Sequence, residues 1–142
     1  MRTSIFSRTL CLLVLLGLAT LSRADSGDVV VIGHPGLPKV DRAALVRLYT
    51  GRSIELAGAL VTVINGAPGS AVRQHFLNTV VRMDEARYRA YWTVRRHVGK
   101  GVPPPELAPD AAVIAFVSST PGSIGYISAE SVTEGLNVIA RY

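Results

Sequence analysis

Short runs of β-branched residues alternate along the chain with segments of helical periodicity. Val29 to Gly33 is a continuous apolar run, which predicts a strand buried on both faces. Leu60 to Ile64 is a second run of this kind, and two further short strands are predicted at Ser123 to Ile127 and Leu136 to Ile139. This order predicts one α/β domain in which helices pack on a single sheet.

Four helices are predicted between these strands from their capping residues and apolar spacing. Asp41 is a candidate N-cap for the first helix, and Ser70 is a candidate N-cap for the second. The third helix is expected from about Asp84 to Val98, and Asp110 is expected to cap a fourth, 111–118. The predicted elements are therefore spaced as in a compact mixed domain.

The third helix carries three kinds of side chain on different sides. Tyr88 and Trp92 share one side with Arg95. An apolar arc lies beside it, formed by Met83, Ala86, Ala90, Tyr91, Val94 and Val98. A basic stripe recurs every seven residues at Arg82, Arg89 and Arg96. The aromatic side is expected in the core and the arginines in water. Aromatic and basic residues on different sides argue against single-stranded nucleic-acid binding.

The first residues have the pattern of a cleavable signal peptide. Arg2 and Arg8 precede an apolar run from Leu10 to Leu21, and Ser22 and Ala24 are small residues suited to a cut after position 24. The sequence predicts a signal peptide at 1–24 and a mature domain at 25–142. The apolar run is shorter than the roughly 20 residues that span a bilayer, so no membrane span is expected after cleavage.

Removal of this segment changes the charge and the cysteine count. The full chain has a net charge of +5, but residues 25–142 hold 12 lysines and arginines against 10 acidic residues, a net +2. This small charge is weak support for a nucleic-acid or membrane partner, and none is predicted. Cys11 is the one cysteine and would leave with the signal peptide, which excludes a thiol nucleophile in the mature protein.

No pattern for catalysis or metal binding is evident. His34, His75 and His97 fall on different predicted elements and lack the paired spacing of a metal motif. Gly69-Ser70-Ala71 lacks the flanking glycines of a hydrolase nucleophile elbow. The sequence therefore predicts a protein that is not an enzyme, with no metal and no cofactor.

Three segments in order carry a resemblance to a known family. They are Leu45 to Arg52, Gly69 to Phe76 and Thr120 to Tyr126, with Tyr91-Trp92 and Gly99 to Pro104 between the last two. In their order and spacing they resemble the phosphate-binding periplasmic substrate-binding proteins of ABC transporters, and more closely the short relatives that have a single lobe. The resemblance covers about residues 29–139.

The resemblance implies a fold and a binding site. The fold is a single lobe of the periplasmic-binding-protein type, a mixed sheet with helices packed on it. The ligand is phosphate or a similar oxyanion, held at a helix N-terminus, where unpaired N–H groups favour negative charge. The matching ligand-binding residues are Gly69, Ser70, Ala71, Val72 and Arg73. Ser70 keeps the family's hydroxyl, while Ala71 and Val72 stand where the family has glycine and threonine.

Two interpretations stay open at this turn. Ser70 is either a helix cap alone or also an anion contact, and Arg73 is either solvated or a ligand clamp. The resemblance implies a periplasmic location and an ABC transporter permease or another envelope protein as partner. A second wall for the binding cleft would come from a second copy, in a homodimer, or from another protein. The alternative function is a ligand-free envelope adaptor that keeps only the fold.

Overall fold

The structure is a computed structural model that describes residues 28–142. The predicted signal peptide, residues 1–24, lies outside the described residues, so its cleavage stays a prediction. The strands are β1 (Val29–Gly33), β2 (Glu55–Leu56), β3 (Ala59–Leu60), β4 (Thr62–Val63), β5 (Asn65–Gly66), β6 (Glu106–Leu107), β7 (Ser123–Ser128) and β8 (Val138–Arg141). The helices are α1 (Arg42–Tyr49), α2 (Ala71–Phe76), α3 (Glu85–His97) and α4 (Asp110–Ser119). A π-helical segment, Leu77–Val81, continues α2.

A four-stranded mixed sheet in the order β4-β7-β1-β8 organises the domain. β1 is antiparallel to both β7 and β8, and β4 is parallel to β7. Val31 lies opposite Tyr126 in the β1–β7 register. Two short ladders complete the structure, an antiparallel pair of β2 with β3 and a parallel pair of β5 with β6. The fold is therefore α/β with a mixed sheet, as the sequence predicts.

Both faces of the sheet are covered, which explains the continuous apolar run of β1. Alternate side chains of a strand point to opposite faces. Val29 and Val31 pack into a core with α1, α2 and α3, whereas Val30 and Ile32 pack with α4. All four valine and isoleucine side chains are fully buried. The prediction of a strand buried on both faces is confirmed.

Gly125 shows how closely α4 approaches the sheet. A Cβ atom at this position would lie 2.6 Å from Cγ1 of Val113 on α4. This distance is far inside van der Waals contact, so only glycine fits here. Val113 and Val117 are thereby buried directly against β7.

Two of the predicted strands differ from the observed ones. The run from Leu60 to Ile64 is divided at Val61, whose N–H turns away to the carbonyl of Ile54 (2.9 Å). β3 consequently pairs with β2, and only β4 joins the main sheet. The last strand begins at Val138 rather than Leu136, because the Asn137 side-chain amide donates to the carbonyls of His34 (3.1 Å) and Leu37 (3.0 Å).

On α3, the aromatic side forms the buried face, as expected. Tyr88 and Trp92 are 1% and 5% exposed, while Val94 and Val98 of the apolar arc are 62% and 56% exposed. The larger aromatic side chains bury more apolar surface than alanine or valine, and this decides which side of the helix faces the core. The apolar arc is therefore largely a surface feature.

Within residues 28–142, no helix combines the length and the apolar character needed to cross a bilayer.

Candidate functional site

The turn before α2 places the residues predicted to bind an oxyanion. Gly69 has a φ of +80°, a conformation that glycine adopts readily, and it leads into Ser70 in extended conformation. The Ser70 hydroxyl accepts from the Arg73 N–H (3.3 Å) and donates to the Ala67 carbonyl (2.8 Å). Ser70 is thus the N-cap that the sequence predicts, and its hydroxyl proton is already used within the turn.

The first two amides of α2 have no hydrogen-bond acceptor at this turn. The opening N–H groups of a helix have no partner inside the helix. Within the 28–142 range, the N–H groups of Ala71 and Val72 donate to no other residue, whereas those of Arg73 and Gln74 bond to Ser70. Ala71 is exposed and Val72 is half-buried. These two amides are therefore groups at the start of the helix that an external oxyanion could use.

Arg73 is buried and fully engaged. Its guanidinium forms a two-pronged pair with Glu85 (both contacts 2.8 Å), pairs with Glu106 (2.8 Å) and donates to the Gly66 carbonyl (2.9 Å). The residue is 2% exposed. Burial by itself lowers the pKa of Arg73, but the hydrogen bonds to the two carboxylates outweigh burial and raise it. Arg73 therefore ties α2 to α3 and β6. The interpretation in which Arg73 is solvated is wrong.

A buried polar network lies beside Arg73. The Tyr126 hydroxyl donates to the Asn65 side-chain oxygen (2.6 Å) and accepts from the Gly66 N–H (2.8 Å). The Asn65 amide donates to the Tyr88 hydroxyl (3.2 Å), which in turn donates to the Tyr49 carbonyl (2.8 Å). Such closed chains of hydrogen bonds fix the groups that they join. The network holds β5, and hence the turn that follows it, in one position.

The hydroxyls of this network stay protonated at neutral pH. Burial raises the pKa of Tyr88 to about 12 and raises those of Tyr49 and Tyr126 well above their usual range. A phenol with so high a pKa does not serve as a general base near pH 7. The tyrosines therefore act as hydrogen-bonding and packing groups.

A cavity of about 500 Å³ lies between the beginnings of α2 and α4. Ser70 and Val72 line one side, and Asp110 and Ala111 line the other. This volume falls within the range of small-molecule sites, roughly 300 to 1,000 Å³. The predicted ligand turn is therefore beside a concave surface.

Asp110 supplies the charge of this cavity. The sequence predicted it as the N-cap of α4, but Pro109 holds that position and Asp110 is the first helical residue. Its Oδ2 accepts from the N–H (2.9 Å) and hydroxyl (2.9 Å) of Ser128 and from the hydroxyl of Ser131 (2.7 Å). These three donors draw the carboxylate away from the capping position. Oδ1 receives no hydrogen bond from residues 28–142.

The five residues predicted to bind the ligand do not all face the same way in the structure. Gly69, Ser70, Ala71 and Val72 lie together at the turn, and Arg73 points into the domain interior. The partners Glu85 and Glu106 were missed, because they are 12 and 33 residues away from Arg73 and no local pattern links them. The hydrogen bonds that join the Asn65 side chain to the hydroxyls of Tyr88 and Tyr126 were missed for the same reason.

The histidines are separated in the fold. His34 follows β1, His75 lies on α2 and His97 ends α3. Among residues 28–142, no group of three or more histidine, cysteine or acidic side chains is placed to hold a metal ion.

The fold is similar to that of known substrate-binding proteins, although the sequence matches no protein-family model and no curated protein. A protein from Clostridium perfringens, classed as a phosphate ABC transporter substrate-binding protein and solved with bound phosphate, has a TM-score of 0.62 at 17% identity. An ABC-type phosphate transport receptor from Vibrio cholerae gives 0.60 at 12% identity, and PstS from Borrelia burgdorferi gives 0.59 at 16%.

The extent of the match defines the class of fold. Each of the three alignments covers 80% of this chain but only 45%, 46% and 47% of the respective structures. The chain thus spans less than half the length of these proteins. Its fold is a single lobe like those of periplasmic substrate-binding proteins.

Proposed function

We propose that this protein is a non-catalytic binding lobe that takes up phosphate or a similar oxyanion in the cavity between α2 and α4. The observation that carries the proposal is the pair of unpartnered amides of Ala71 and Val72 at the start of α2, where Ser70 and Val72 line this cavity. Amides at the start of a helix are favourable for anions. The likeness in fold to two proteins whose names include phosphate transport supports the choice of ligand.

The charge of the cavity narrows the ligand class. Its lining includes Asp110 and neither lysine nor arginine. A fully deprotonated anion beside this carboxylate would be repelled, whereas an oxyanion that carries a proton can donate it to the free Oδ1. Phosphate carries a proton at neutral pH and sulfate does not. We therefore expect phosphate to bind better than sulfate.

Affinity is expected to be low for one lobe alone. Tight sites bury most of the surface of a small ligand, and this cavity has one wall of a cleft. A dissociation constant near 1 mM, about −4 kcal/mol, is the expectation. A second copy or another envelope protein would supply the second wall. In this proposal the mature protein acts in the periplasm, after removal of residues 1–24, and delivers the ligand to an ABC transporter permease.

The test is isothermal titration calorimetry of the exported protein at low salt with phosphate, sulfate and chloride. Ala71→Pro removes one of the two free amides while keeping the helix, because proline is favoured at the first helical position. Ser70 before it is extended, with ψ at 144°, as a residue preceding proline must be. Ala71→Ser keeps the amide and serves as the matched control.

The expected result is saturable phosphate binding that Ala71→Pro weakens at least fivefold and Ala71→Ser leaves unchanged. Equal phosphate affinity in the two variants would contradict the proposal.

Asp110→Asn tests whether binding requires a proton on the ligand, because the neutral amide of asparagine does not repel a dianion. In this variant, sulfate is expected to bind as well as phosphate.

A second candidate function is protein interaction, as in an envelope adaptor. One observation favours it: large apolar side chains are more than half exposed on the surface, namely Ile54, Leu60, Val94, Val98 and Val102. Exposed apolar groups in a cluster mark interaction sites. Val94 and Val98 lie one helical turn apart on α3 and its end, so they can form one contact.

Light scattering after size-exclusion chromatography, across protein concentrations, tests this candidate. Self-association that Val94→Asp with Val98→Asp abolishes would support it. Thr133→Asp, at an exposed position outside α3, is the control and should leave any self-association unchanged. A protein that stays monomeric at every concentration and binds phosphate would favour the first function over the second.

A further inference from the structure

A second concave surface borders Arg73 and shares no lining residue with the α2–α4 cavity. This α3 cleft has a volume of about 250 Å³. Arg89, Trp92 and Arg96 line it from α3, while Pro103 and Glu106 line it from the segment that leads into β6. The buried guanidinium of Arg73 also borders it. The cleft therefore combines cationic and aromatic groups in one depression.

The two outer arginines of the cleft are free for a ligand. Arg89 and Arg96 are exposed and lie seven residues apart, on the same side of α3. The ion pairs found within residues 28–142 are both made by Arg73, so neither Arg89 nor Arg96 is neutralised by a carboxylate in the described part of the chain. A guanidinium presents a planar set of donors that suits a carboxylate or a phosphate.

Charge is concentrated around this cleft. Residues 82–100 contain six lysines and arginines and two acidic residues, whereas the rest of the described chain contains six and seven. The segment that includes α3 therefore has a net charge of +4, whereas the rest of the described chain has a net charge of −1. A local excess of this kind attracts anionic ligands.

The apolar wall of the cleft distinguishes it from an ordinary solvated basic stripe. Trp92 is 5% exposed and is held by an edge contact with Tyr88, with ring centroids 6.4 Å apart. Its position is thus fixed by packing before any ligand arrives. Pro103 adds a second rigid apolar surface. A simple anion would use the arginines alone, so the wall favours a ligand that also has an apolar body.

We propose that the α3 cleft binds a small organic oxyanion, a carboxylate or phosphate monoester, through Arg89 and Arg96, with its apolar part against Trp92 and Pro103. This site is separate from the one proposed at Ala71 and Val72, and neither depends on the other. Glu106 also lines the cleft, and its carboxylate is paired with the buried Arg73.

Trp92 is the single tryptophan of the chain, so its fluorescence reports directly on this cleft. The experiment titrates the exported protein with cyclohexanecarboxylate and with cyclohexyl phosphate, which distinguish the two oxyanion classes. Cyclohexanecarboxamide has the same body without charge, and inorganic phosphate has the charge without the body. The proposal expects a saturable change with at least one of the two organic anions, and at least tenfold weaker binding of both controls.

Two variants locate the effect. Arg89→Gln with Arg96→Gln is expected to weaken binding of the organic anion at least tenfold. Arg87→Gln is the matched control, because Arg87 is an exposed arginine of α3 that does not line the cleft, and it should leave binding unchanged. Ala71→Pro should also leave it unchanged, which separates this site from the one in the α2–α4 cavity.

Several results would overturn the proposal. Binding that survives the double substitution in a folded protein would place the ligand elsewhere. Equal weakening by Arg87→Gln would show attraction to the general charge of α3 rather than to the cleft. Inorganic phosphate binding as tightly as the organic anions would remove the role of the apolar wall, and no fluorescence change with either organic anion would remove the site.

Discussion

Arg73, Arg89 and Arg96 line the same cleft, but Arg73 differs from the other two in its burial and in its ion pairs. Arg73 is 2% exposed and is compensated by Glu85 and Glu106. Arg89 and Arg96 are exposed, and no carboxylate of the described residues pairs with them. Arg73, which the resemblance implies as a ligand residue, is therefore paired with carboxylates of the fold, whereas Arg89 and Arg96 have no ion pair within residues 28–142.

The ion-pair partners of an arginine decide whether its guanidinium stabilises the fold or is available to a ligand. A buried guanidinium needs carboxylates to offset the loss of water, and once it has them it is unavailable to a ligand. An exposed guanidinium keeps its donors, and it becomes useful where a concave surface lies beside it.

The largest effect is expected from Arg73→Gln. This substitution leaves the Glu85 carboxylate, which is 25% exposed, without its cation and leaves the Gly66 carbonyl without its donor. Breaking a fully buried pair from one side costs about 3–5 kcal/mol of the free energy of unfolding. Because the Glu85 and Glu106 side chains are 25% and 42% exposed, we expect a loss near the lower end, about 3 kcal/mol. Urea denaturation measures the loss. A loss below about 1 kcal/mol would show that Arg73 is not a structural tie.

The next effect concerns the hydroxyl network beside Arg73. Tyr126→Phe keeps the ring that stacks on Phe76, with centroids 3.9 Å apart, but leaves the Gly66 N–H and the Asn65 side-chain oxygen unpaired. Unsatisfied buried groups of this kind cost about 1–3 kcal/mol. Tyr142→Phe, at a half-buried tyrosine, is the control and should change the unfolding free energy by less than about 0.5 kcal/mol in the same urea titration.

Alkaline pH provides a third test of the buried network. The pKa of Tyr88 is about 12 in the folded protein against 10 in the unfolded chain. Above pH 10, the unfolded state loses this proton while the folded state keeps it, so stability falls as pH rises toward 12. Each such tyrosine contributes a slope of about 1.4 kcal/mol per pH unit.

Tyr88→Phe isolates the contribution of this residue. The variant should be less stable at neutral pH, because it loses two hydrogen bonds, yet its stability should fall less steeply above pH 10. Urea titrations from pH 8 to pH 11 give both slopes. Identical slopes for the variant and the native protein would mean that Tyr88 does not keep its proton in the fold.

The order of elements could be predicted from the sequence because local signals define it. Asp41, Ser70 and Asp84 accept hydrogen bonds from amides three residues later, as N-caps do, and the β1 run is buried on both faces as its composition requires. These features depend on neighbours within four residues. Long-range contacts altered the rest, as at Asn137, where bonds to the segment after β1 delay the last strand.

The candidate site could be predicted only in part. The turn from Gly69 to Val72 is a local feature and was recognised. The burial and ion pairing of Arg73 depend on two carboxylates in distant segments, Glu85 and Glu106. The charge of the cavity depends on Asp110, which α4 places there. No pattern in the sequence gives these distances. The α3 cleft likewise arises only when the segment around Pro103 folds beside Trp92.

The smallest effect on stability is expected at Arg89 and Arg96, whose charges have no ion-pair partner among the described residues. Arg89→Gln with Arg96→Gln should change the free energy of unfolding by less than about 0.5 kcal/mol, because no described residue loses an ion pair. Any change should be a gain at low salt, since residues 82–100 have an excess of positive charge that the substitutions reduce. Urea titrations in 20 mM and 500 mM sodium chloride measure it, and the gain should vanish at the higher salt. A loss of more than 1 kcal/mol would mean that these arginines, like Arg73, stabilise the fold, and the contrast between the two regions would then be wrong.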